Sequence, residues 1–433
     1  MKRSILFLFV GCALLLAGCG GRIGRGVTVG GTDVSRMTAG EATAAVTARE
    51  AGKIGAFSFT LTCGEKTLLL PASRLCVNAR AEDAVRRALE LRFGEDEKAI
   101  PVAWTADALT VKTAAADVAR AFYCAPEDAA CEADFSLAEP FSYTEGSAGA
   151  RVDEAKLTKL LSEAVEKRSA GAIEVPMLTV PAAVTAETLA AERTAVARYT
   201  TSFEKAPYNA ENRVHNIVKA AKLVNGTQLL PGETFDCNAV LGDRNAENGW
   251  AEAPAIRGGA YVNEYGGGVC QVSSTLYNAV LAADLAVAER HPHSWPMGYV
   301  DIGRDAAIST GGKNFRFIND SGSAVYIGAR ADIKTGELTV TVYGRALPDG
   351  QYIEIASEET GLLEQPETAE ALDETLPAKT SVVFRAARQG RTSRTHVNRY
   401  TAEGTLLSSE VVSNDVYRSI DGLTYVSADI YYS

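Results

Sequence analysis

The alternation of apolar and polar residues changes along the chain and predicts two kinds of architecture. Between residues 26 and 185, strand-like runs alternate with helical spacing, as in residues 81–93, where apolar residues recur every three or four positions. Thr38 and Glu41 have the spacing of a capping box and predict the start of another helix. From residue 366 to 433, apolar and polar residues alternate between glycine-containing turns. The first pattern predicts two α+β units, and the second predicts an all-β module.

The middle of the chain, residues 199–345, is rich in asparagine and glycine at turn positions. Residues 187–197 predict a connecting helix, and residues 212–223 place apolar side chains on one face of a second helix. A third predicted helix starts after the glycines at 266–268 and ends near Glu289-Arg290. The chain is therefore predicted to be a multidomain α+β protein, with a central α+β domain between the N-terminal units and the β module.

The start of the chain has the pattern of a lipoprotein signal peptide. Its apolar run, residues 5–16, is too short to cross about 30 Å of hydrocarbon. Residues 16–19, Leu-Ala-Gly-Cys, are similar to a bacterial lipobox, in which the cysteine is acylated. We therefore predict removal of residues 1–18, lipidation of Cys19 and a tether at 19–25. The predicted location is the outer face of the cytoplasmic membrane, and secretion without a lipid is the alternative.

The composition narrows the range of partners and leaves the disulfide pairing open. The 43 Lys and Arg residues are outnumbered by 54 Asp and Glu residues, and a net charge of −11 gives no electrostatic case for binding nucleic acid. Six cysteines follow Cys19, and the sequence cannot choose among their possible pairings. The pairs close enough in sequence for local bridges are Cys63 with Cys76 and Cys124 with Cys131, which would leave Cys237 and Cys270.

Cys270 is the residue whose surroundings most suggest chemistry. The glycines at 266–268 allow the backbone to turn tightly, and Cys270 then falls at the start of a predicted helix. The free N–H groups and the dipole at a helix N-terminus stabilise a thiolate. The same N–H groups could hold the oxyanion of a tetrahedral intermediate. A thiol in this position is suited to acyl transfer.

Two of the four histidines, His291 and His293, follow the predicted helix and are candidate bases for that thiol. Asp305 lies soon afterwards and is a candidate to orient an imidazole. A helix of about 20 residues spans about 30 Å, so the histidines can approach Cys270 only if the next loop or strand returns along it.

The residues alone leave four other interpretations open. Cys270 could be a small structural residue, with the histidines serving only as loop or cap residues. The hydroxyls of Ser273, Ser274 and Thr275 are rival nucleophiles, or they face the N-terminal turn of the helix or a ligand. Cys237, Cys270 and both histidines could bind zinc, although no short ligand spacing supports the second cysteine. A redox pair of Cys237 with Cys270 is also open, although the chain after residue 19 has no Cys-x-x-Cys motif.

Five motifs in residues 199–345 together resemble the VanW family. They are Pro-Gly-Glu-Thr-Phe-Asp-Cys-Asn-Ala-Val-Leu-Gly at 231–242, Glu-Asn-Gly-Trp and Ala-Pro-Ala-Ile within 247–256, Gly-Gly-Gly-Val-Cys-Gln-Val-Ser-Ser-Thr-Leu-Tyr-Asn-Ala at 266–279, Arg-His-Pro-His-Ser at 290–294, and Gly-Arg-Asp-Ala at 303–306. The family is named for glycopeptide-resistance clusters, and some members are L,D-transpeptidases that make 3→3 peptidoglycan cross-links. Cys237 departs from the family, which usually has an aromatic or other apolar residue there.

The resemblance implies that Cys270 attacks the carbonyl between the L- and D-centres of a peptidoglycan stem peptide. His293 or His291 would be the base and then the acid, with Arg304 and Asp305 as supports. The residues implied to contact the substrate are Gly267, Gly268, Gln271, Ser273, Ser274 and Arg304. No cofactor or metal is implied, and the expected partners are stem peptides and, through Cys19, the membrane. The predicted reaction is L,D-transpeptidation or the related carboxypeptidase reaction, and the alternative is a non-catalytic peptidoglycan-binding or scaffolding lipoprotein.

Both flanking regions also carry weaker resemblances. Residues 26–185 resemble the peptidoglycan-binding domain that commonly precedes this family, through the Gly-Val-x-Val-Gly-Gly start at 26–31 and the Glu-Gly-x-x-Gly segment that begins at Glu145. Residues 366–433 resemble the G-five domain of bacterial surface proteins, on the segments at 389–391 and 398–406. A spacer without a ligand and a generic adhesive module are the respective alternatives.

Overall fold

The computed structural model describes residues 21–91, 98–203, 211–257 and 260–433. The predicted signal peptide, residues 1–18, and the predicted lipidation site Cys19 lie outside the described residues. Helices and strands are mixed along the described chain, as the α+β prediction requires, so that prediction is confirmed. None of these helices is long and apolar enough to cross a bilayer.

Helices and short strands follow one another along the described residues. In chain order, the helices are α1 (Ala39–Gly55), α2 (Ala81–Glu90), α3 (Ala108–Phe122), α4 (Glu154–Glu166), α5 (Ala186–Ala191), α6 (Glu211–Val224), α7 (Cys237–Leu241), α8 (Val269–Ala282) and α9 (Ala428–Tyr431). The strands are β1 (Thr28–Val29), β2 (Thr32–Asp33), β3 (Ser58–Cys63), β4 (Lys66–Pro71), β5 (Asn78–Ala79), β6 (Ala99–Ile100), β7 (Trp104–Thr105), β8 (Ala130–Ala133), β9 (Phe141–Thr144), β10 (Gly149–Val152), β11 (Gly171–Glu174), β12 (Met177–Val180), β13 (Thr194–Ser202), β14 (Thr227–Leu229), β15 (Thr234–Asp236), β16 (Glu252–Arg257), β17 (Ala260–Tyr265), β18 (Ala286–Glu289), β19 (Arg316–Ile318), β20 (Val325–Asp332), β21 (Glu337–Gly344), β22 (Tyr352–Leu362), β23 (Thr368–Leu372), β24 (Ser381–Arg385), β25 (Arg391–Tyr400), β26 (Leu406–Tyr417) and β27 (Gly422–Val426).

The chain divides into two compact units. The first ends at Asp128 and also contains Gly146–Ala183, and the second contains Ala129–Glu145 and Val184–Ser433. The predicted central domain, 199–345, and the predicted C-terminal module, 366–433, therefore belong to one unit. The domain boundaries themselves stay predictions.

The first unit has two hydrophobic cores. One packs α1 and α2 around Val29 and Val46, and the other packs α3 and α4 around Phe59 and Leu161. The capping box predicted at the start of α1 is confirmed. Thr38 Oγ1 accepts from the Glu41 N–H at 3.4 Å, and the Glu41 carboxylate accepts from the Thr38 N–H at 2.9 Å.

The second unit is built on a four-stranded antiparallel sheet ordered β13-β21-β20-β14. Helices α6 and α8 pack against this sheet, and Ile217, Leu276 and Val340 lie in their shared core. The predicted helix at 187–197 is correct only for its first part. Thr194–Ser202 instead forms β13, because its side chains alternate in burial and the strand pairs with β21.

Helix α8 ends at Ala282, well before the predicted end near Glu289-Arg290, so that boundary was wrong. Asp284 follows with φ 59°, a left-handed conformation that turns the chain out of the helix. Strand β18 then pairs with β19 and returns the chain toward the beginning of α8. The expectation that the histidines come back through a following strand or loop is thus confirmed.

The C-terminal region is built mainly of strands, in two sheets ordered β22-β25-β26 and β23-β27-β24, with α9 near its end. Strand β25 is not separate from the central domain, because Val397 is buried in the same hydrophobic core as α8. Ile353 and Ile355 of β22 also pack against that core. Because β26 pairs with β25, this packing of β22 and β25 on the central core places the end of β26 next to the segment that follows β18.

Candidate functional site

A glycine turn between β17 and α8 shapes the site. Gly266 and Gly268 have φ 84° and 106°, a region that residues with a side chain rarely adopt. A Cβ on Gly266 would lie 2.6 Å from Cγ of Arg244, and a Cβ on Gly268 would lie 2.9 Å from Cγ of Arg213. Glycine is therefore required both for the turn and for the close packing of an arginine on each side of it.

Cys270 is the second residue of α8, so the prediction that it lies at a helix N-terminus is confirmed. Its side chain is only partly buried. The thiol donates to the carbonyl oxygen of Ile308 at 3.4 Å, and the Ile308 N–H lies 3.5 Å from the sulfur. The thiolate form can accept from that N–H, so the contact suits both protonation states.

His293 is the imidazole that the structure brings to the thiol. Its ring is 7% exposed, and Nδ1 lies 2.5 Å from Oδ2 of Asp305. The backbone N–H of His293 donates to the same oxygen at 2.6 Å, which fixes the ring against the carboxylate. Since Nδ1 is engaged, Nε2 is the nitrogen left for the hydrogen bond between this imidazole and Cys270.

Besides His293, the side chains of Arg290 and Tyr417 hydrogen-bond to the Asp305 carboxylate. Arg290 Nη2 donates to Oδ1 of Asp305 at 3.1 Å, and Nη1 lies 2.6 Å from both carboxylate oxygens of Asp415. The Tyr417 hydroxyl donates to Oδ1 of Asp305 at 2.5 Å and accepts from the Gly303 N–H at 3.0 Å. The β26 strand therefore supplies part of the support for the site.

The electrostatics favour an ion pair between thiolate and imidazolium. Burial opposes ionisation of Cys270, but the hydrogen bond and charge of His293 outweigh it and lower the pKa of the thiol. Burial likewise opposes the charge on His293, but its bonds to Asp305 and Cys270 raise its pKa to about 9. The pKa of Asp305 falls to about 2, because His293 and Arg290 offset the cost of its burial.

The thiol faces a cavity of about 1230 Å³ that lies entirely within the second unit. The wall includes the glycine turn, the β16–β17 hairpin and the segment after His293. Trp295 lies in this wall between two other cavity residues. Its ring centroid is 5.5 Å from that of Tyr261 and 4.5 Å from the Arg388 guanidinium. The cavity is large enough to admit a peptide.

The structure brings Cys270, His293 and Asp305 together, as predicted from the sequence, but it separates His291 from them. His291 Nε2 lies 3.0 Å from the Glu289 carboxylate, and the ring is 41% exposed. His291 does not line the cavity. The geometry therefore selects His293 as the candidate base.

Several predicted substrate contacts are scaffold residues in the structure. Ser273 Oγ donates to the Ala306 carbonyl at 2.7 Å, and Ser274 Oγ donates to the Cys270 carbonyl at 2.7 Å. Both serines are buried and absent from the cavity wall. Arg304 donates to Asn278 Oδ1 at 2.7 Å and also does not reach the cavity. Their polar groups hold the segment from 304 to 306 against α8.

Gly267, Gly268 and Gln271 do line the cavity. Gln271 is 1% exposed, and its amide is held by Arg213 at 2.7 Å and by Thr201 at 3.0 Å. A side chain on Gly267 would collide with the backbone of residues 253 and 254. The glycines thus form the wall of the cavity, while the Gln271 side chain supports it from behind.

Two N–H groups that were candidates for an oxyanion site are already engaged. The Val269 N–H donates to the Gly266 carbonyl at 3.1 Å, and the Gln271 N–H donates to the Gly268 carbonyl at 3.0 Å. These bonds close the turn at the start of α8. We therefore assign no oxyanion contact to these two groups.

The other interpretations of the cysteines receive no support. All six cysteines in the described ranges are free thiols, so neither the local bridges nor a bridge from Cys237 to Cys270 is formed. The described residues contain no cluster of three His, Cys, Asp or Glu side chains that could hold a metal ion. Cys237 is fully buried and packs in the core of the second unit.

Sequence reasoning missed Arg213, Arg244, Arg290 and Tyr417. Arg290 opens the Arg-His-Pro-His motif, which was a signal that it belongs near the histidines. The other three stand outside the cysteine and histidine motifs. Their positions follow from packing between elements far apart in sequence.

The site predicts a specific order of thiol alkylation. At pH 6, iodoacetamide should modify Cys270 at least about tenfold faster than the exposed thiols of Cys76 and Cys124. Cys237 should stay unmodified, because burial raises the pKa of its thiol to about 12. The advantage of Cys270 should shrink as the pH rises, because the thiolate is the reactive form and alkaline pH favours it for any exposed thiol. Peptide mass spectrometry measures all four rates, and a slower reaction of Cys270 at pH 6 would contradict the ion pair.

The fold and site define an α+β protein whose second unit carries a cysteine, histidine and aspartate in contact at a cavity. A family model described as "VanW like protein" matches residues 212–343, which include Cys270, His293 and Asp305. This region of the chain is therefore similar to the VanW family, and the resemblance inferred from its motifs is confirmed for these residues.

Two curated relatives are similar to this part of the chain. "Uncharacterized protein YoaR" of Bacillus subtilis (strain 168) is 39% identical over 172 residues, which cover 40% of this chain and 55% of that protein. "Vancomycin B-type resistance protein VanW" of Enterococcus faecalis (strain ATCC 700802 / V583) is 31% identical over 116 residues, which cover 26% of this chain and 42% of that protein. The chain thus spans about half the length of the curated relatives it matches.

Among solved structures, "Crystal structure of HP0197-G5" aligns with 18% of this chain and 97% of its own chain. The sequence identity is 13% and the TM-score is 0.11, a similarity that carries no argument about this protein. The resemblance of residues 366–433 to the G-five domain stays a prediction.

Proposed function

We propose that this VanW-type protein acts on the cell wall as a cysteine acyltransferase that forms 3→3 cross-links between peptidoglycan stem peptides. The observation that carries the proposal is the contact of Cys270 with His293, which is itself held by Asp305, beside a cavity open to a ligand. A thiol paired with a protonated imidazole is nucleophilic at neutral pH.

In the first half-reaction, the Cys270 thiolate attacks the carbonyl carbon between the L- and D-centres of a donor tetrapeptide. A sulfur–carbon bond forms and the carbon–nitrogen bond breaks. The His293 imidazolium gives its proton to the departing amine of D-alanine, and a thioester remains on Cys270. Asp305 holds Nδ1 of the ring throughout, so that Nε2 remains directed at the reacting atoms.

In the second half-reaction, the side-chain amine of a second stem peptide attacks the thioester. The neutral imidazole takes a proton from this amine, an amide bond forms and the sulfur leaves as thiolate. Water in place of the amine would release the shortened stem peptide, which is the carboxypeptidase outcome. Both outcomes regenerate the ion pair.

The cell-wall part of the proposal is supported by the family and by the name of one relative, which refers to vancomycin resistance. The N-terminal pattern predicts that a lipid on Cys19 would hold the protein at the outer face of the cytoplasmic membrane. In that location the site would meet stem peptides directly.

The test is incubation of the purified protein with muropeptides that carry tetrapeptide stems, followed by mass spectrometry. We expect cross-linked dimers, free D-alanine and an acyl group on Cys270, and none of these products from Cys270→Ala. A matched control is Cys124→Ser, which changes an exposed thiol in the first unit and should keep full activity. Wild-type protein that binds muropeptides but yields no product would instead favour the non-catalytic peptidoglycan-binding alternative.

A further inference from the structure

The charge on the cavity wall is opposite to that of the protein. The whole chain has a net charge of −11. Among the described residues that line the cavity, five are arginine or lysine and two are glutamate, while the pair of His293 and Cys270 adds no net charge. The cations are Arg213, Arg244, Arg257, Lys313 and Arg388. This excess favours a ligand with negative charge.

Arg213 reaches the cavity wall from α6 and is 8% exposed. Its Nη2 donates to Gln271 at 2.7 Å, but its buried Nη1 has no hydrogen-bond partner among the described residues. Burial lowers the pKa of its guanidinium. A buried guanidinium nitrogen without an acceptor is costly, and an anion from the cavity side would compensate it.

Arg244 occupies the corresponding position on the other side of the glycine turn. Its Nη1 donates to Asn238 Oδ1 at 2.9 Å, and its buried Nη2 again has no partner among the described residues. Its positive charge is near enough to Cys270 to help lower the pKa of that thiol. One incompletely paired arginine thus packs against Gly266 and another against Gly268, in the turn that leads into Cys270.

We propose that Arg213 and Arg244 bind a carboxylate of the substrate beside Cys270. The inference rests on the proposed acyl transfer and names the two side chains that hold the carboxylate of the leaving amino acid, which ends the donor peptide. The leaving amino acid then carries the free carboxylate, and two guanidinium groups match a carboxylate better than ammonium groups would. A donor with a longer or amidated end would lack this contact.

Binding of the carboxylate by the two arginines is compatible with each bond change of the first half-reaction. The sulfur of Cys270 bonds to the carbonyl carbon, the peptide carbon–nitrogen bond breaks, and His293 protonates the leaving amine. The released amino acid keeps its carboxylate between the two arginines until it departs. The same arginines would therefore select the donor peptide and position its last residue.

The test compares two tetrapeptide donors that differ only in a terminal carboxylate or carboxamide. Intact-protein mass spectrometry measures how fast each acylates Cys270 in the wild-type protein, Arg213→Lys, Arg244→Gln and the control Arg330→Gln. Arg330 is an exposed residue of β20. We expect a preference of about 10- to 100-fold for the carboxylate in the wild type and control, and a loss of most of it in the other two variants. Iodoacetamide rates correct for any change in thiol ionisation.

The affinities of both peptides for Cys270→Ala are measured as well, so that failure of the anion site can be distinguished from failure of the proposed acyl transfer. A carboxylate preference in binding without any acylation of the wild type would refute the acyl transfer and keep the anion site. Acylation of the wild type at equal rates by both peptides would refute the anion site and keep the acyl transfer. Arg213→Lys retains the charge where full removal could unfold the protein, and Arg244→Gln tests the site independently.

Discussion

Replacing His293 by glutamine is expected to slow acylation of Cys270 by about 10²- to 10⁴-fold. The variant keeps a polar side chain but loses the proton donor for the leaving amine and the charge that stabilises the thiolate. The pKa of Cys270 should rise, because the largest effects that lower it are the hydrogen bond and charge of His293. Acylation by a donor peptide and alkylation by iodoacetamide, both followed against pH, measure the two losses.

The rate of Cys270 acylation is expected to change with pH in a defined direction. Activity in the wild type should rise as the thiol ionises and fall as the pH passes through about 9, because His293 then loses the proton that the leaving group needs. The alkaline fall should be absent from the His293→Gln profile. The matched control is His291→Gln, whose exposed ring pairs with Glu289 outside the cavity and whose loss should change acylation little. A strong loss of acylation in His291→Gln, with little loss in His293→Gln, would reverse our assignment of the base.

Replacing Arg290 by glutamine is expected to destabilise the second unit by about 3–5 kcal/mol, because removal of one partner leaves buried charges uncompensated. The Arg290 side chain is 6% exposed, and it lies between the carboxylates of Asp305 and Asp415, which are 1% and 6% exposed. Hydrogen exchange measured by mass spectrometry on α8 peptides reports the change. The control is Arg391→Gln, which breaks an exposed pair with Glu359 and should cost less than about 1 kcal/mol.

Lowering the pH should reduce the difference in stability, measured by hydrogen exchange, between Arg290→Gln and the wild type. The folded-state pKa of Asp305 is lowered to about 2 from 3.8, and Arg290 contributes to that lowering. Its stabilisation is therefore fully present above about pH 4 and is lost as the pH falls toward 2. The variant lacks much of this stabilisation already at neutral pH. A difference in exchange that stays constant from pH 7 to pH 2, after correction for intrinsic rates, would contradict the role of this ion pair.

The parts of the fold that could be predicted depend on neighbours in the chain. The start of α1 follows from Thr38 and Glu41, whose side chains bond to each other's backbone within one turn. Helix α6 follows from apolar spacing, and the start of α8 follows from the glycines before Cys270. Each of these signals acts within a few residues, so it can be recognised without knowing the rest of the structure.

The end of α8 could not be predicted in the same way, because apolar residues continue past it into β18. Asp284 turns the chain there, and its carboxylate accepts from Arg399 Nε at 3.0 and 3.1 Å. Arg399 lies in β25, 115 positions later in the chain. Local spacing carries no information about such a contact.

The amino-acid sequence by itself determined the α+β class, the resemblance of the central region to the VanW family and the position of a thiol at the start of a helix, because motifs and periodicity are local. Only the tertiary structure decided that His293 rather than His291 contacts Cys270, and that Tyr417 supports Asp305 from 112 positions away. It also decided that Arg213 and Arg244 flank the glycine turn, each with a nitrogen that has no hydrogen-bond partner in the described part of the chain. Hydrogen bonding and charge compensation depend on distances in space, and packing between remote elements sets those distances.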